Sequence, residues 1–372
     1  MKTKSNKHRF SLFLLFTVAA FGGITGCKVP ETKSVFESRI EKTKTNSESI
    51  NDEWPAPLKI EGEAYRWYDK LASAKRPSYV YEEPWVWGGD IPSENTGFYC
   101  VGENSFAQIN DVRVAIIDSG VDLDLIDKNY IENPLWSESY SFLDNSDHID
   151  ADKDDIHGSC IASLLLAKKD EKHNFEGLLN DIKVSVLYLK VMDDGKAELN
   201  NVISAIEYAD DNDIDICCMS LANKKYSAEL YETMSKSDML FIVPAGNDGY
   251  EISEVNTVYP AMFCLDNTIS VAAMRADGNI CAGSNYSNDY VDILAPGAEI
   301  ITEYRENKYI QCSGTSYAVP IVASFVAHIY AEARERLSAE QLKKLVVGHT
   351  DMDPSVTRYG RLCLLRGGTV ES

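Results

Sequence analysis

From about residue 111 onward, short apolar runs alternate with longer amphipathic stretches, and this alternation restricts the possible folds more than any other feature of the sequence. The apolar runs are rich in Val and Ile and are bounded by turn residues, which is typical of buried strands. The alternation predicts an α/β fold with a parallel sheet and helices on both faces, in which functional loops lie at the carboxyl ends of the strands. We predict strands at 112–117, 184–189, 214–221, 239–243, 268–272 and 291–294, and helices at 157–169, 197–211, 226–236, 316–334 and 338–347.

The first 26 residues have the order of a secretory signal. A basic start is followed by an apolar stretch at 10–21 and then by small residues. The apolar stretch is short for a membrane span, which disfavours the alternative of an anchor that stays uncut. Ile24-Thr25-Gly26-Cys27 resembles the lipobox of bacterial lipoproteins, in which the cysteine thiol receives a diacylglyceryl group before cleavage on its amino side. This resemblance implies an exported lipoprotein, held by its lipid at the periplasmic face or the cell surface.

The composition changes twice between this signal and residue 111. Residues 27–53 are polar, which indicates a flexible tether. Residues 54–110 hold four of the five Trp, which indicates a packed segment: either an inhibitory pro-segment that is removed or a permanent extension. Residues 111–368 are predicted to form the main folded domain.

The chain carries 36 Lys and Arg against 58 Asp and Glu, a net charge of −22, which disfavours binding of nucleic acid.

Two candidate catalytic residues lie where this sheet would display them. Asp118 directly follows the first predicted strand and points out of the carboxyl edge of the sheet, although Asp is also a common turn residue. His157 stands at the start of an apolar helix, where the positive end of the helix dipole favours the neutral imidazole that a general base needs. A structural histidine is the alternative for His157.

Ser316 and Asn247 occupy comparable positions. Ser316 begins a strongly apolar helix, where unpaired backbone N–H groups can stabilise an oxyanion. Asn247 follows a predicted strand, and its side-chain amide can donate a hydrogen bond to the same charge. A helix N-cap and a Gly/Asn turn are the structural alternatives. Gly314-Thr315 before the serine and Pro320 after it are more specific than a cap requires.

The four residues have the chain order Asp, His, Asn, Ser of the subtilisin-type triad and its oxyanion Asn. Here the sequence resembles the subtilase family of serine peptidases. The matching blocks extend over about residues 111–366 and are VAIIDSGVD around Asp118, DIHGSCIASLLLA around His157, ICCMSLA, VPAGNDG around Asn247, VYPA, LAPG, CSGTSYAVPIVAS around Ser316 and YGRLCL. The resemblance implies a subtilisin-like three-layer sandwich with a central, mostly parallel sheet and helices on both faces.

The resemblance also implies a serine endopeptidase that works through an acyl-enzyme intermediate. Ser316 would be the nucleophile, His157 its general base, and Asp118 the residue that orients the imidazole. Asn247 and the Ser316 backbone N–H would bind the oxyanion. The implied substrate-binding residues pair with an extended peptide or line the first specificity pocket. They are Ser220, Leu221, Ala222, Gly246 and Val258.

Three positions depart from the family pattern. Ile156 precedes the histidine where the family usually has Gly, Tyr317 follows the serine where it has Met, and Ala222 stands where the substrate strand has Gly. No catalytic group is lost, but an inactive subtilase-fold protein that binds peptides stays open as the alternative. An α/β-hydrolase esterase is disfavoured by the order of the triad and by the lack of a Gly-x-Ser-x-Gly elbow at Ser316. Ala222 and Val258 are expected to crowd the first specificity pocket and favour small P1 side chains.

This chemistry needs no cofactor, but an acidic loop predicts a calcium site. Asp150, Asp152 and Asp154 alternate along the loop and offer the oxygen ligands that Ca²⁺ prefers. The alternative is a solvated acidic loop, and the EF-hand pattern fails because its glycine and its distant Glu are not in place.

The nine cysteines include no Cys-x-x-Cys pair, which disfavours a zinc ribbon. The expected partners are a peptide or protein substrate and, through the lipid on Cys27, a membrane; we expect a monomer.

Overall fold

The structure is a computed structural model that describes residues 58–60, 110–151, 155–167, 176–275, 278–306, 308–333, 335–348, 350–351 and 356–362. The predicted signal at 1–26, the tether at 27–53 and all of 54–110 except 58–60 and 110 lie outside the described residues. Within these ranges, no helix combines the length and the apolar character that crossing a membrane requires.

The secondary structure follows the predicted alternation of strands and helices. The strands are β1 (Leu58–Ile60), β2 (Val112–Asp118), β3 (Tyr140–Ser141), β4 (Val184–Lys190), β5 (Met192–Asp193), β6 (Lys196–Ala197), β7 (Ile216–Met219), β8 (Leu240–Pro244), β9 (Thr268–Met274), β10 (Ile293–Pro296), β11 (Ile300–Arg305), β12 (Lys308–Cys312), β13 (Thr350–Asp351) and β14 (Arg361–Leu362). The α-helices are α1 (Lys128–Ile131), α2 (His157–Leu166), α3 (Leu199–Asp211), α4 (Ala228–Lys236), α5 (Thr315–Glu332) and α6 (Ala339–Gly348). Single turns of 3-10 helix lie at Leu123–Leu125, Trp136–Glu138 and Ala261–Phe263.

In the part of the chain that the structure describes, the main sheet has nine strands in the order β13-β14-β10-β9-β8-β7-β2-β4-β3. Every neighbouring pair is parallel except β13–β14 at one edge. In β2 every residue except Arg113 is buried, because helices cover both faces of a parallel sheet. The predicted α/β architecture with a mostly parallel central sheet is therefore confirmed.

Helix α5 forms the centre of one outer layer. It packs against α2 and crosses β7, β8 and β9. Its sequence is apolar on nearly every face, as expected of a helix that is buried almost all round. Helices α3 and α4 pack against each other, and α3 also contacts β2. The starts of α2 and α5 thereby meet the carboxyl ends of the central strands, where the predicted site lies.

A buried charge network ties α6 to the sheet. The Lys343 ammonium donates to the main-chain oxygens of Leu265 and Thr268 and to Asp292 Oδ2, the last at 3.2 Å. Arg358 donates to the other oxygen of the same carboxylate, Asp292 Oδ1, at 3.2 Å. Removing one member of such a network typically costs about 3–5 kcal/mol, because a charge is left buried and unpaired. The network fixes the position of α6 on β8 and β9.

One part of the sheet structure was not predicted from the sequence. β11 and β12 form an antiparallel hairpin, and β1 pairs with β12 to complete a separate three-stranded sheet. Thr302 and Glu303 in β11 are polar yet fully buried, so the strand has no continuous apolar run. The predicted strand at 214–221 is shorter in the structure, where β7 ends at Met219, and the strand predicted at 291–294 is β10, which begins at Ile293.

Candidate active site

The side chains of Asp118, at the end of β2, and His157, at the start of α2, are in direct contact. His157 Nδ1 lies 2.7 Å from Asp118 Oδ1. The Asp118 side chain is fully buried, whereas the His157 side chain is 27% exposed. A carboxylate can only accept a hydrogen bond, so it fixes the neutral ring with its proton on Nδ1. The lone pair is then on Nε2, as a general base requires.

A small hydrogen-bond network holds the start of α2. Ile156, the N-cap residue, has no side-chain cap to offer. Asp155 Oδ1 instead accepts from the His157 N–H at 3.2 Å, and Ser119 Oγ accepts from the Gly158 N–H at 2.9 Å. The Ser119 hydroxyl donates in turn to Asp155 Oδ1 at 2.9 Å. These bonds satisfy N–H groups that a helix start leaves unpaired, and they fix the backbone that carries the His157 ring.

Close packing at Gly158 brings α2 against the end of β2. A Cβ at this position would overlap the main-chain oxygens of Ser119 and Gly120 and the hydroxyl of Tyr188. The Tyr188 hydroxyl already donates to the Ser119 oxygen at 2.6 Å. Only glycine allows this approach, so the His-Gly pair in the sequence is a requirement of the contact between His157 and the strand that ends in Asp118.

The pKa of His157 lies above its ordinary value. Burial lowers this pKa, but the negative charge of Asp118 and its hydrogen bond raise it, and Asp155 and Cys312 add to the rise. The helix start was expected to favour the neutral imidazole; the two carboxylates outweigh that effect. The imidazolium is therefore stabilised at this position, which suits a base that must hold a proton during a reaction.

Asn247 is bound to the first turn of α5, where Ser316 is the second residue. Asn247 Oδ1 accepts from the backbone N–H of Thr315 at 2.9 Å and from its hydroxyl at 3.0 Å. With Oδ1 used in this way, the amide Nδ2 lies 3.5 Å from where a Cβ on Gly314 would stand. The first backbone N–H groups of a helix have no partner within it, and that of Ser316 is one of them. Two donors thus flank the start of α5.

Pro320 changes the bonding of Ser316. In a regular helix the main-chain oxygen of Ser316 would accept from the N–H four residues later, but Pro320 has none. That oxygen accepts instead from the Ser220 hydroxyl at 3.0 Å. The residue after β7 is thereby fastened directly to the residue expected to be the nucleophile.

The two halves of the site meet through Tyr317. The ring of His157 and the ring of Tyr317, the residue after Ser316, have centroids 5.8 Å apart. Asp118 contacts His157, and Asn247 contacts the residue before Ser316. The structure therefore brings all four predicted catalytic residues to one end of the sheet.

The predicted substrate-binding residues surround the same point. After the buried Ser220, Leu221 is half-buried and Ala222 is exposed, and Asn223 exchanges two main-chain hydrogen bonds with Tyr259 at 2.8 and 2.7 Å. Gly246 has a φ of 91°, and its Cβ, if present, would lie 3.5 Å from Cγ1 of Val258. Val258 is almost fully buried. The strip at 220–222 thus becomes exposed toward Ala222, and Val258 closely approaches Gly246.

Asn285 organises this region and was not identified from the sequence. It is fully buried, and its amide donates to the Ala245 oxygen at 3.0 Å. Its Oδ1 accepts from the backbone N–H groups of Asp248 and Tyr250 at 3.0 and 3.2 Å. Asn285 therefore shapes the loop that carries Asn247. The only sequence signal is an Asn in a turn-rich stretch, which does not reveal a contact with a loop some forty residues away.

The predicted calcium site is only partly within the described residues. Asp150 is described, whereas Asp152 and Asp154 lie outside. The main-chain oxygen of Asp150 accepts from the Lys190 ammonium at 2.8 Å, so a positive charge already stands beside this loop. Across the described ranges, no group of three or more His, Cys, Asp or Glu residues could hold a metal ion. The calcium site stays a prediction.

Comparisons with known proteins agree with this geometry. The family described as Peptidase_S8, subtilase family, matches residues 110–360. A thermophilic serine proteinase of Bacillus sp. (strain AK1) is 26% identical over 311 residues, which are 78% of this chain and 71% of that protein. Subtilisin DY of Bacillus licheniformis is 29% identical over 240 residues, 63% of this chain and 81% of its own length. A solved cold-adapted subtilisin-like serine proteinase has the same fold, with a TM-score of 0.54, 22% identity, and coverage of 79% of this chain and 97% of that one.

Proposed function

Since the chain belongs to the subtilase family and is a serine-type endopeptidase, we propose that it cuts peptide bonds through a triad of Asp118, His157 and Ser316 and an acyl-enzyme intermediate. The observation that carries this assignment is the 2.7 Å contact between His157 Nδ1 and the buried Asp118 carboxylate, beside the start of α5. In the proposed reaction Ser316 Oγ attacks the scissile carbonyl while His157 Nε2 takes its proton. His157 later passes that proton to the leaving amine.

The charges that develop in this reaction have matching groups in the site. Asp118 stabilises the imidazolium, in line with the raised pKa of His157. The Ser316 N–H at the helix start and the Asn247 amide are the proposed donors to the tetrahedral oxyanion. Both belong to segments that are fixed before substrate binds, since Asn247 is already bonded to Thr315. Preorganised donors of this kind need no rearrangement when the negative charge forms.

The proposed substrate is an extended peptide that adds to the strip at 220–222. Main-chain pairing of this kind depends little on sequence and supplies affinity, whereas pockets for individual side chains supply specificity. The strip is fastened to Ser316 by the bond from Ser220. A peptide aligned along it is therefore held in a fixed relation to the proposed nucleophile.

We expect small side chains such as Ala to be preferred at P1. Val258 closely approaches Gly246, and the Asn223–Tyr259 pairing holds the residue next to Val258 in place, so little room is left for a large P1 side chain. Shortening Val258 to Gly should raise kcat/KM for a Phe P1 substrate relative to Ala by about tenfold or more, since a pocket discriminates by about 1–3 kcal/mol per methylene. A peptide library with P1 varied measures the ratio.

Val255→Ala is the matched control for that experiment, because Val255 lies in the same loop but is 75% exposed. It should leave the P1 profile as in the wild type. A wild-type enzyme that cuts best after large aromatic residues would contradict the crowded pocket, and so would a Val258→Gly enzyme with an unaltered profile.

We also propose that the enzyme is exported and anchored by a lipid on Cys27. The support is the order of basic, apolar and small residues at 1–26 and the Ile24-Thr25-Gly26-Cys27 sequence. The polar stretch that follows has the composition of a tether between lipid and enzyme. Monomeric action and the absence of nucleic-acid binding stay predictions. Subtilases need no cofactor for catalysis, and a calcium ion on Asp150 and its neighbours would serve stability rather than chemistry.

A fluorophosphonate probe tests the nucleophile and the anchor together. Such a probe bonds covalently to an activated serine Oγ with loss of fluoride. In cells that express the full chain, we expect one labelled band in the membrane fraction, with Cys27 as its lipid-modified first residue and the probe mass on the peptide that contains Ser316. A first residue beyond 110 on the labelled band would instead identify 54–110 as a removed pro-segment.

Cys27→Ser is the control for anchoring, and it should move the labelled protein out of the membrane fraction without reducing labelling. Labelling that persists in Ser316→Ala would refute the assignment of the nucleophile. A lipid-free wild type that remains fully labelled would refute only the anchor.

A further inference from the structure

Two free cysteines face each other beside the proposed catalytic histidine. Cys160 lies on α2, three residues after His157, and Cys312 is the last residue of β12, four residues before Ser316. Each thiol shifts the pKa of the other as a hydrogen-bonding neighbour, so the two side chains lie close together. Both are buried, in one small cluster. The pair therefore joins the helix that carries the base to the strand that leads to the nucleophile.

The register of the β11–β12 hairpin shows why the two thiols meet. Cys312 lies directly opposite Ile300, and Ile310 lies opposite Thr302, so these four residues share one face of the hairpin. The Thr302 hydroxyl on that face donates to the main-chain oxygen of Cys160 at 3.0 Å. This bond holds the first turn of α2 over the hairpin, with Cys160 above Cys312.

The two thiols differ in their chemical surroundings. The hydrogen bond from Cys160 lowers the pKa of Cys312; burial opposes this, and the Tyr317 hydroxyl and the charge of His157 lower the pKa further. Burial, together with the hydrogen bond and charge of Cys312, raises the pKa of Cys160 well above its ordinary value. Thiolate is the reactive form, so in the reaction proposed below Cys312 would react first and Cys160 would be the resolving thiol.

We propose that Cys160 and Cys312 are an oxidation site for hydrogen peroxide, at which a reversible disulfide switches off the peptidase activity. Cys312 attacks the peroxide oxygen and gives a sulfenic acid and one water. Cys160 then displaces the hydroxyl of the sulfenic acid, which leaves as a second water. Two thiols lose two protons and two electrons, and one peroxide is reduced to two waters. The loss of activity rests on the proposed function; the disulfide itself does not.

Formation of the Cys160–Cys312 disulfide would displace a residue of the proposed catalytic site. A disulfide requires an S–S distance of about 2.05 Å, well below the separation of two hydrogen-bonded thiols. In the proposed switch the first turn of α2 is drawn toward β12 as the sulfurs approach, and His157 lies within that turn. A displacement of about 1 Å in a catalytic group can cost about 10²-fold in rate.

Tyr317 also stands where the family pattern has Met, so no methionine directly after Ser316 competes for peroxide.

The test starts from the full chain reduced with dithiothreitol and then desalted. After graded peroxide, remaining thiols are blocked, the protein is digested without reductant, and the peptides are weighed. We expect a linked species that joins the Cys160 and Cys312 peptides, a fall in kcat/KM of about tenfold or more that parallels it, and recovery of both with dithiothreitol. Cys312→Ala should stay active and resist peroxide. Cys160→Ala should give no linked species.

Cys281→Ala is the matched control, because Cys281 is also buried but belongs to a separate cluster; it should behave as the wild type. The proposal is overturned if no 160–312 linkage forms while other cysteines are oxidised, if the linkage leaves kcat/KM unchanged, or if Cys312→Ala loses activity to peroxide as the wild type does. Because the linkage is read by mass, a failure of the proposed triad would leave it in place and would appear instead as absent probe labelling at Ser316.

Discussion

Replacing Ser316 with alanine is expected to lower kcat for peptide hydrolysis by about 10⁶-fold, the magnitude that loss of the nucleophile has in a subtilisin. The start of α5 should survive this change, because the groups that donate to Asn247 Oδ1 are the N–H and hydroxyl of Thr315 and not the Ser316 hydroxyl. KM should change little, since the strip at 220–222 is untouched. The small residual rate would come from the oxyanion donors and from substrate binding. Steady-state hydrolysis of a chromogenic peptide measures the difference.

Ser313→Ala provides the matched control for Ser316→Ala. Ser313 precedes the proposed nucleophile by three residues in the same segment, and its hydroxyl accepts from the backbone N–H of Glu299 at 2.9 Å. This bond helps to shape the loop and involves none of the proposed catalytic residues, so kcat should stay within a few fold of the wild type. A Ser316→Ala enzyme with the wild-type rate would show that another residue performs the attack.

Asp118→Asn is expected to lower kcat by about 10⁴-fold. The substitution keeps the shape of the side chain but puts an amide where Oδ1 now accepts from His157 Nδ1 at 2.7 Å. An amide N–H turned toward the ring would hold the proton on Nε2, which removes the lone pair that Ser316 needs. The imidazolium would also lose its counter-charge. Rate measurements at saturating peptide isolate this effect from binding.

The same substitution should change the pH profile in a defined direction. In the proposed mechanism activity requires neutral His157 and is lost as pH falls through its pKa, which Asp118 and Asp155 hold above the ordinary 6.5. The acidic limb of kcat/KM should therefore lie above pH 6.5. In Asp118→Asn the lowering by burial is no longer opposed by the Asp118 charge, so the limb should move to lower pH.

Asp122→Asn is the control for both readouts. Asp122 lies four residues further along, and its side chain accepts from the backbone N–H of Asp124 at 3.1 Å, a bond that the Asn oxygen can keep. Its rate and its pH profile should match the wild type. An acidic limb that lies below pH 6.5 in the wild type, or that does not move in Asp118→Asn, would contradict the assignment of His157 as the base held by Asp118.

The order of strands and helices could be predicted because a parallel sheet covered on both faces requires apolar runs, and β2, β4, β8 and β9 have them. The hairpin of β11 and β12 lacks this signature. Its buried Thr302 is tolerated because its hydroxyl bonds to the Cys160 oxygen, a contact made across more than a hundred residues. No local pattern encodes such a partner, so the strand was not found.

The same distinction applies to the site. Asp118 and His157 could be identified because each stands in a motif with its own physical requirement, such as the glycine that must follow His157 to fit against β2. Asn285 could not, because it acts by filling the hydrogen-bonding needs of a distant loop. Asp155 lies two residues before His157, and its bond to the His157 N–H is a contact within the same motif. Each candidate catalytic residue has a local motif that the sequence shows, whereas a supporting residue such as Asn285 acts on a segment far away in the sequence and has no such motif.

The proline in α5 has a consequence for how specificity can vary in this enzyme. Because Pro320 has no N–H to donate to the main-chain oxygen of Ser316, that oxygen accepts a hydrogen bond from the Ser220 hydroxyl instead. The edge proposed to bind the peptide and the residue proposed to attack it are thus joined by one hydrogen bond. Substitutions at 220–222 that alter the substrate preference should therefore also shift Ser316, so substrate range and catalytic rate are expected to change together.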